Sequence, residues 1–224
     1  MMIKKFALSS ALVVASLGFG GLAQAQQAGT WLLRVGAMSI IPQVSSGDLS
    51  APSVPGVKID VDSSTTFAGG ISYMLTDNWS LDVPLAIPPK HKIKGDGAIA
   101  GSGEIGTTRV VPATMFLQYR FMEAQSTFRP YLGAGLTYAR FYGEKGNGTL
   151  TAITDPGGST TLSIKSEFAP TVQAGMTYSL TPQVYLDGWV GKTFLKVRST
   201  LSTGQRIDTK LDPVIVGLSV GYRY

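Results

Sequence analysis

From Pro213 to the last residue the chain alternates without a break. Val214, Val216, Leu218, Val220, Tyr222 and Tyr224 share one parity, and Ile215, Gly217, Ser219, Gly221 and Arg223 the other. A two-residue period is that of a β-strand, whose successive side chains point to opposite faces. The same period recurs in eight segments: 31–40, 65–75, 79–87, 113–121, 128–142, 166–180, 184–196 and 213–224. Each runs for about nine residues or more, near the length a tilted strand needs to cross a bilayer. Three connections are tight (76–78, 122–127 and 181–183). Four are long and rich in Gly, Ser, Thr and Pro: 41–64, 88–112, 143–165 and 197–212. Short and long alternate strictly. A soluble sandwich does not require that order, whereas a barrel in an outer membrane does, with its short turns on the periplasmic side. The pattern predicts an all-β, eight-stranded antiparallel transmembrane β-barrel with long extracellular loops, closed because lipid cannot satisfy a free strand edge.

Parity then assigns the faces. One side carries Leu33, Val35 and Ala37, then Leu81, Val83 and Leu85, then Leu132, Ala134 and Leu136, and later Val172, Ala174 and Met176. A central Lys or Arg on such a face would cost about 2–4 kcal/mol in lipid. Where strands meet the short turns the same face carries Trp31, Tyr73, Trp79, Tyr119, Phe121, Phe128, Tyr178, Tyr222 and Tyr224. Amphipathic rings gather at membrane–water boundaries, so these form a periplasmic girdle. Phe67, Tyr138, Tyr142 and Phe168 mark a thinner outer one. Arg140, Lys192 and Lys196 fall on the outward parity near the outer rim. From there long cationic stems reach the phosphate groups of the outer leaflet, so outer-membrane lipid and lipopolysaccharide are expected partners.

The inward parity separates by height. Toward the periplasm lie Arg34, Asp82, Arg120, Arg129, Asp187 and Arg223, with Gln118 and Tyr131. Such a set in a narrow barrel is expected to hydrogen-bond into a plug. Toward the outside the inward residues include Met38, Phe116, Phe141, Trp189 and Ile215, an apolar funnel with little charge. A polar solute gains nothing there and the plug bars a straight water path. A small hydrophobic molecule entering from outside would have to leave sideways. Pro84 and Pro170 fall inside strands, where each removes a ladder donor. With Pro88 and Pro89 they are the candidate lateral opening. The competing expectation is a non-transporting barrel whose interior simply packs and whose loops bind partners.

Composition changes this picture little. Residues 1–25 read as a secretory leader: a basic MMIKK start, an apolar stretch over 6–22 and an Ala23-Gln24-Ala25 site, with cleavage expected before Gln26. The barrel domain is then 26–224. The 19 Lys and Arg exceed the 14 Asp and Glu only mildly and are scattered, so no nucleic-acid partner is expected. With no Cys and one His, neither a disulfide nor a metal site is expected, and no cofactor. Past the leader no stretch approaches the roughly 18 to 20 apolar residues of a membrane helix.

Two patterns resemble chemical motifs and fail on context. Gly217-Leu218-Ser219-Val220-Gly221 matches a nucleophile elbow, but only three residues follow it and the single His lies upstream. Gly101-Ser102-Gly103-Glu104-Ile105-Gly106 matches a dinucleotide fingerprint, but it lies in a long loop with no βαβ unit. His91, between Lys90 and Lys92, is the only base for neutral pH. A lipid-modifying barrel enzyme is the remote alternative, and no catalytic residue is assigned.

Several stretches in order resemble the OmpW family of small outer-membrane barrels. They are Thr76-Asp77-Asn78-Trp79 with Pro88-Pro89-Lys90-His91-Lys92-Ile93, Val111-Pro112-Ala113-Thr114, Phe128-Arg129-Pro130-Tyr131-Leu132-Gly133, Phe168-Ala169-Pro170-Thr171 and the closing Leu211-Asp212-Pro213 to Tyr224. The resemblance implies an eight-stranded barrel with a hydrophobic channel for small apolar compounds, with relatives tied to alkane or aromatic uptake. The terminal strand is similar to the signal that outer-membrane assembly machinery recognises, which makes that machinery an expected partner.

Overall fold

The computed structural model describes residues 26–224, so the expected leader lies outside the described residues. In chain order the strands are β1 (Trp31–Ile41), β2 (Ser45–Ser46), β3 (Val57–Val61), β4 (Ser64–Met74), β5 (Trp79–Ala86), β6 (Lys90–Gly97) and β7 (Glu104–Arg120). Then come β8 (Phe128–Gly146), the helix α1 (Gly148–Thr154), β9 (Leu162–Ile164), β10 (Glu167–Ser179), β11 (Val184–Thr193), β12 (Lys196–Leu201), β13 (Arg206–Lys210) and β14 (Val214–Arg223).

Eight of these, β1, β4, β5, β7, β8, β10, β11 and β14, pair antiparallel in that cyclic order and close on themselves. The seam joins the first strand to the last: Leu33 stands opposite Tyr222 and Val35 opposite Val220. At its lower end Trp31 and Tyr224 each donate a backbone N–H to the other's carbonyl, both at 2.8 Å. The C-terminal alternation is thus the outer half of the closing seam. Outward residues in the middle and lower wall are exposed and apolar; Val35 is 69% exposed, Phe67 74% and Leu218 68%. Inward, polar groups are buried: Asp82, Gln118 and Arg129 have no exposed surface. An apolar exterior around a polar interior is stable only in lipid. The lower girdle packs as pairs, with Trp31 4.7 Å from Tyr73 and Trp79 5.1 Å from Tyr119 between ring centres.

The four long connections differ from the loops expected of them. β3 pairs with β6, and β6 continues the wall on the outer half of β7. Across the rim β2, β13, β12 and β9 make a second, four-stranded sheet. Segments such as Val57-Lys58-Ile59-Asp60-Val61 do alternate, but over too few residues to span a bilayer, so they add height instead. Helix α1 leans in beside them, capped by the Asn147 Oδ1 that accepts the Leu150 N–H at 3.1 Å. Val57, Ile93, Ile105, Leu150, Val197 and Ile207 bury a common apolar core in this outer tier.

Candidate channel and its closure

The periplasmic charges divide into two groups. Arg34 on β1 grips Asp82 on β5 with two hydrogen bonds, Nη1 to Oδ1 at 2.6 Å and Nη2 to Oδ2 at 2.9 Å. Two parallel N–H donors on one carboxylate form the strongest pairing these side chains offer. The Ser72 hydroxyl also donates to Asp82, at 2.5 Å. Asp187 on β11 stands 3.7 Å from Arg34 Nε and accepts the Tyr131 hydroxyl at 3.0 Å. Gly70 on β4 leaves room for this guanidinium, since a Cβ there would sit 2.7 Å from its carbon.

Arg120, Arg129 and Arg223 have no ion-pair carboxylate among the described residues and hydrogen-bond to carbonyl, amide and hydroxyl oxygens instead. They lie lower, beside turns whose carbonyls need donors. Arg129 donates to the carbonyls of Asp77 at 2.6 Å, Gln26 at 3.1 Å and Phe121 at 3.1 Å. Arg223 donates to Pro182 O at 3.0 Å and Ser179 Oγ at 2.6 Å, with its guanidinium 5.0 Å from the centre of the Tyr185 ring. Arg120 reaches Gln118 Oε1 at 2.8 Å and lies 4.8 Å from the centre of the Tyr131 ring. The sequence reading missed Gln26, taken there only as the residue after a cleavage site. It is buried in the mouth, donating to Thr177 Oγ1 at 3.0 Å and accepting from both Arg120 and Arg129 at 3.3 Å.

Above this closure lies a cavity of about 110 Å³. Met38, Phe116, Phe141, Trp189 and Ile215, drawn from five strands, all line it. Trp189 lies across Gly217, where a Cβ would come within 2.3 Å of the indole nitrogen. A polar band crosses the cavity as a row of threonines: Thr114 bonds Thr137 at 2.8 Å, Thr137 bonds Thr171 at 2.6 Å, and Thr171 donates to Thr193 at 3.1 Å. This chain of hydroxyls crosses β7, β8, β10 and β11 and follows from their register.

His91 also faces this cavity from β6, almost fully buried. Its Nδ1 is 3.0 Å from the Asp62 carbonyl, which can only accept, so the ring proton sits on Nδ1. Burial pushes its pKa below the ordinary 6.5. The unfolded chain therefore binds the proton more readily, and folded stability falls as pH drops through 6.5 toward the depressed value. Unfolding midpoints should decline from about pH 7 to about pH 5.5, and His91→Gln should flatten the decline. A flat wild-type profile would rule this out.

The wall is incomplete at one place. β5 pairs with β7 only from Trp79↔Tyr119 to Asp82↔Phe116, and pairing resumes at Lys90↔Arg109 on β6. Residues 83–89 have no partner on β7, and residues 110–115 have none on that side. Pro84, Pro88, Pro89 and Pro112 border the interval, and each lacks an N–H to offer. Leu85, on the outward parity and half exposed, nonetheless lines the cavity, beside Pro84 and Pro112. At Pro170 the ladder is continuous, paired with Leu136 on β8 and accepting the Phe194 N–H at 3.0 Å. The prolines at 84, 88 and 89 therefore gather at the interruption and Pro170 does not.

Comparison with known proteins supplies the remaining observation. The model of the OmpW family matches residues 27–224. Outer membrane protein W of Vibrio cholerae is 34% identical over 205 residues, covering 89% of this chain and 91% of that protein. The dibenzothiophene metabolism operon protein PahQ of Pseudomonas aeruginosa is 24% identical over 200 residues, covering 87% of this chain and 88% of its own. Among solved structures the outer membrane protein OprG of Pseudomonas aeruginosa superposes with a TM-score of 0.81 at 23% identity, over 91% of this chain and 99% of that one.

Proposed function

The chain belongs to the OmpW family of outer-membrane barrels, and from that premise we propose that it is a passive conduit carrying small apolar molecules from the outer surface into the membrane. The observation that supports this most is the cavity lining itself. It runs from the inward aromatics to Leu85 on the lipid-facing parity, through the interval where β5 and β7 do not pair. Below it the Arg34–Asp82 pair is buried in the barrel. A solute entering from outside finds apolar walls, a closed floor and a side exit onto hydrocarbon. Transfer of apolar surface from water is favourable at each stage, so no energy source is required. The operon named for the relative PahQ, dibenzothiophene metabolism, fits a compound of this class. Small hydrophobic molecules are the cargo in this reading. Lipopolysaccharide around the rim and assembly machinery at the C-terminal strand complete the partners.

The test separates entry from exit. Ala113 is exposed on the outer face of β7 beside the interval, outside the cavity lining. Ala113→Trp should slow delivery of an apolar fluorophore into vesicle lipid about tenfold, with lumen occupancy unchanged. Phe141→Asp, which puts a charge into the cavity, should reduce both occupancy and delivery. Equal uptake by vesicles with and without the protein, or rapid swelling in sugars, would eliminate the conduit.

A further inference from the structure

Lys196 and Lys210 stand directly opposite each other on β12 and β13, both exposed on the outer face of the rim sheet. Like charges in directly opposed positions destabilise a strand pair. Among the described residues neither lysine has an ion-pair partner, because the carboxylates beside them are already engaged. Asp208 is held by Arg198 at 2.6 Å and Glu167 by Lys165 at 2.6 Å. These six side chains line one concavity of about 660 Å³, four cations against two carboxylates. Its height is set by the aromatics below it. Phe168 follows Glu167 and Phe194 lies two residues before Lys196; both are exposed on the lipid side. The concavity therefore begins one step beyond the apolar band, at the level of the outer leaflet's headgroups.

We propose that this concavity binds the phosphorylated headgroup of an outer-leaflet glycolipid, with one phosphate held between Lys196 and Lys210. A phosphate monoester carries about −1.5 to −2 charge near neutral pH, which matches the two unpaired ammonium groups. Lysine suits the site as a flexible point charge, and the Lys165–Glu167 and Arg198–Asp208 pairs on either side fix its walls. The assignment depends on the barrel's place in the outer membrane and not on the conduit; a barrel that carries nothing would bind the headgroup equally.

Binding is measured on the folded full-length barrel in phosphatidylcholine nanodiscs, with bisphosphorylated lipid A, its dephosphorylated form and inorganic phosphate as probes. Lys196→Gln/Lys210→Gln should weaken lipid A binding about 20- to 30-fold, while Arg206→Gln, outside the concavity, leaves it unchanged. Lys210→Glu places a carboxylate opposite Lys196. It should raise the melting temperature in lipid-free detergent while abolishing lipid A binding. Wild-type affinity in the double variant, or equal affinity for dephosphorylated lipid, would overturn the proposal. Inorganic phosphate binding as tightly as lipid A would overturn the glycolipid and leave a free-phosphate site. A lowered melting temperature in Lys210→Glu would remove the repulsion from which the argument starts.

Discussion

Replacing Asp82 with alanine should lower the stability of the folded barrel by about 3–5 kcal/mol. Asp82 is fully buried and holds both terminal nitrogens of Arg34, so its removal leaves a guanidinium inside the barrel with Asp187 as its remaining counter-charge, 3.7 Å from Nε. The loss is mainly the cost of a charge without its partner, more than the worth of the pair itself. Asp187→Asn provides the contrast. It keeps an oxygen for the Tyr131 hydroxyl and leaves the two short Arg34 bonds intact, so about 1 kcal/mol is expected. Urea titration in vesicles, read from the heat-sensitive gel mobility of folded barrel, measures both. Equal losses in the two variants would show that the closure does not centre on Asp82.

Gly36→Ala should prevent the barrel from closing. A Cβ at Gly36 would lie 2.1 Å from the Leu218 carbonyl oxygen and 2.6 Å from Ser219 Cα. Both neighbours are backbone of the facing strand, so no side chain can turn aside. Overpacking a core ordinarily costs about 1–3 kcal/mol. Here the strain falls on the seam, where each backbone group pulled from its partner faces hydrocarbon at several kcal/mol. Gly148→Ala, at a position with nothing within 4 Å, is the control and should fold normally. A folded band for Gly36→Ala as strong as the control's would contradict the seam geometry.

The wall was legible in the sequence because lipid and lumen impose opposite demands on successive residues. Segments such as 31–40 and 184–196 match β1 and β11 to within a few residues. What escaped has a physical reason in each case. The outer tier escaped because Lys196–Leu201 and Arg206–Lys210 alternate over spans too short for a bilayer, so length argued against them as strands. Alternation could place Arg120, Arg129 and Arg223 inside but not choose their partners, since turn carbonyls leave no mark in side-chain chemistry. Gln26 is an ordinary polar residue until three chain-distant groups converge on it. The wall interval was half visible: Pro84 announced a missing donor on β5, but its effect depends on Pro112 lying near it on β7, and that proximity comes from register.

The clasp between Trp31 and Tyr224 also governs the order of events at birth. Because the first and last wall strands are neighbours, β14 must be made before any enclosed shape exists. Pairing partners separated by nearly the full length of the chain make folding slow, since loop-closure entropy is lost before the contacts form. During that interval the greasy exterior has nothing to shelter it. A cover for that exterior until β14 docks is thus a requirement written into the topology.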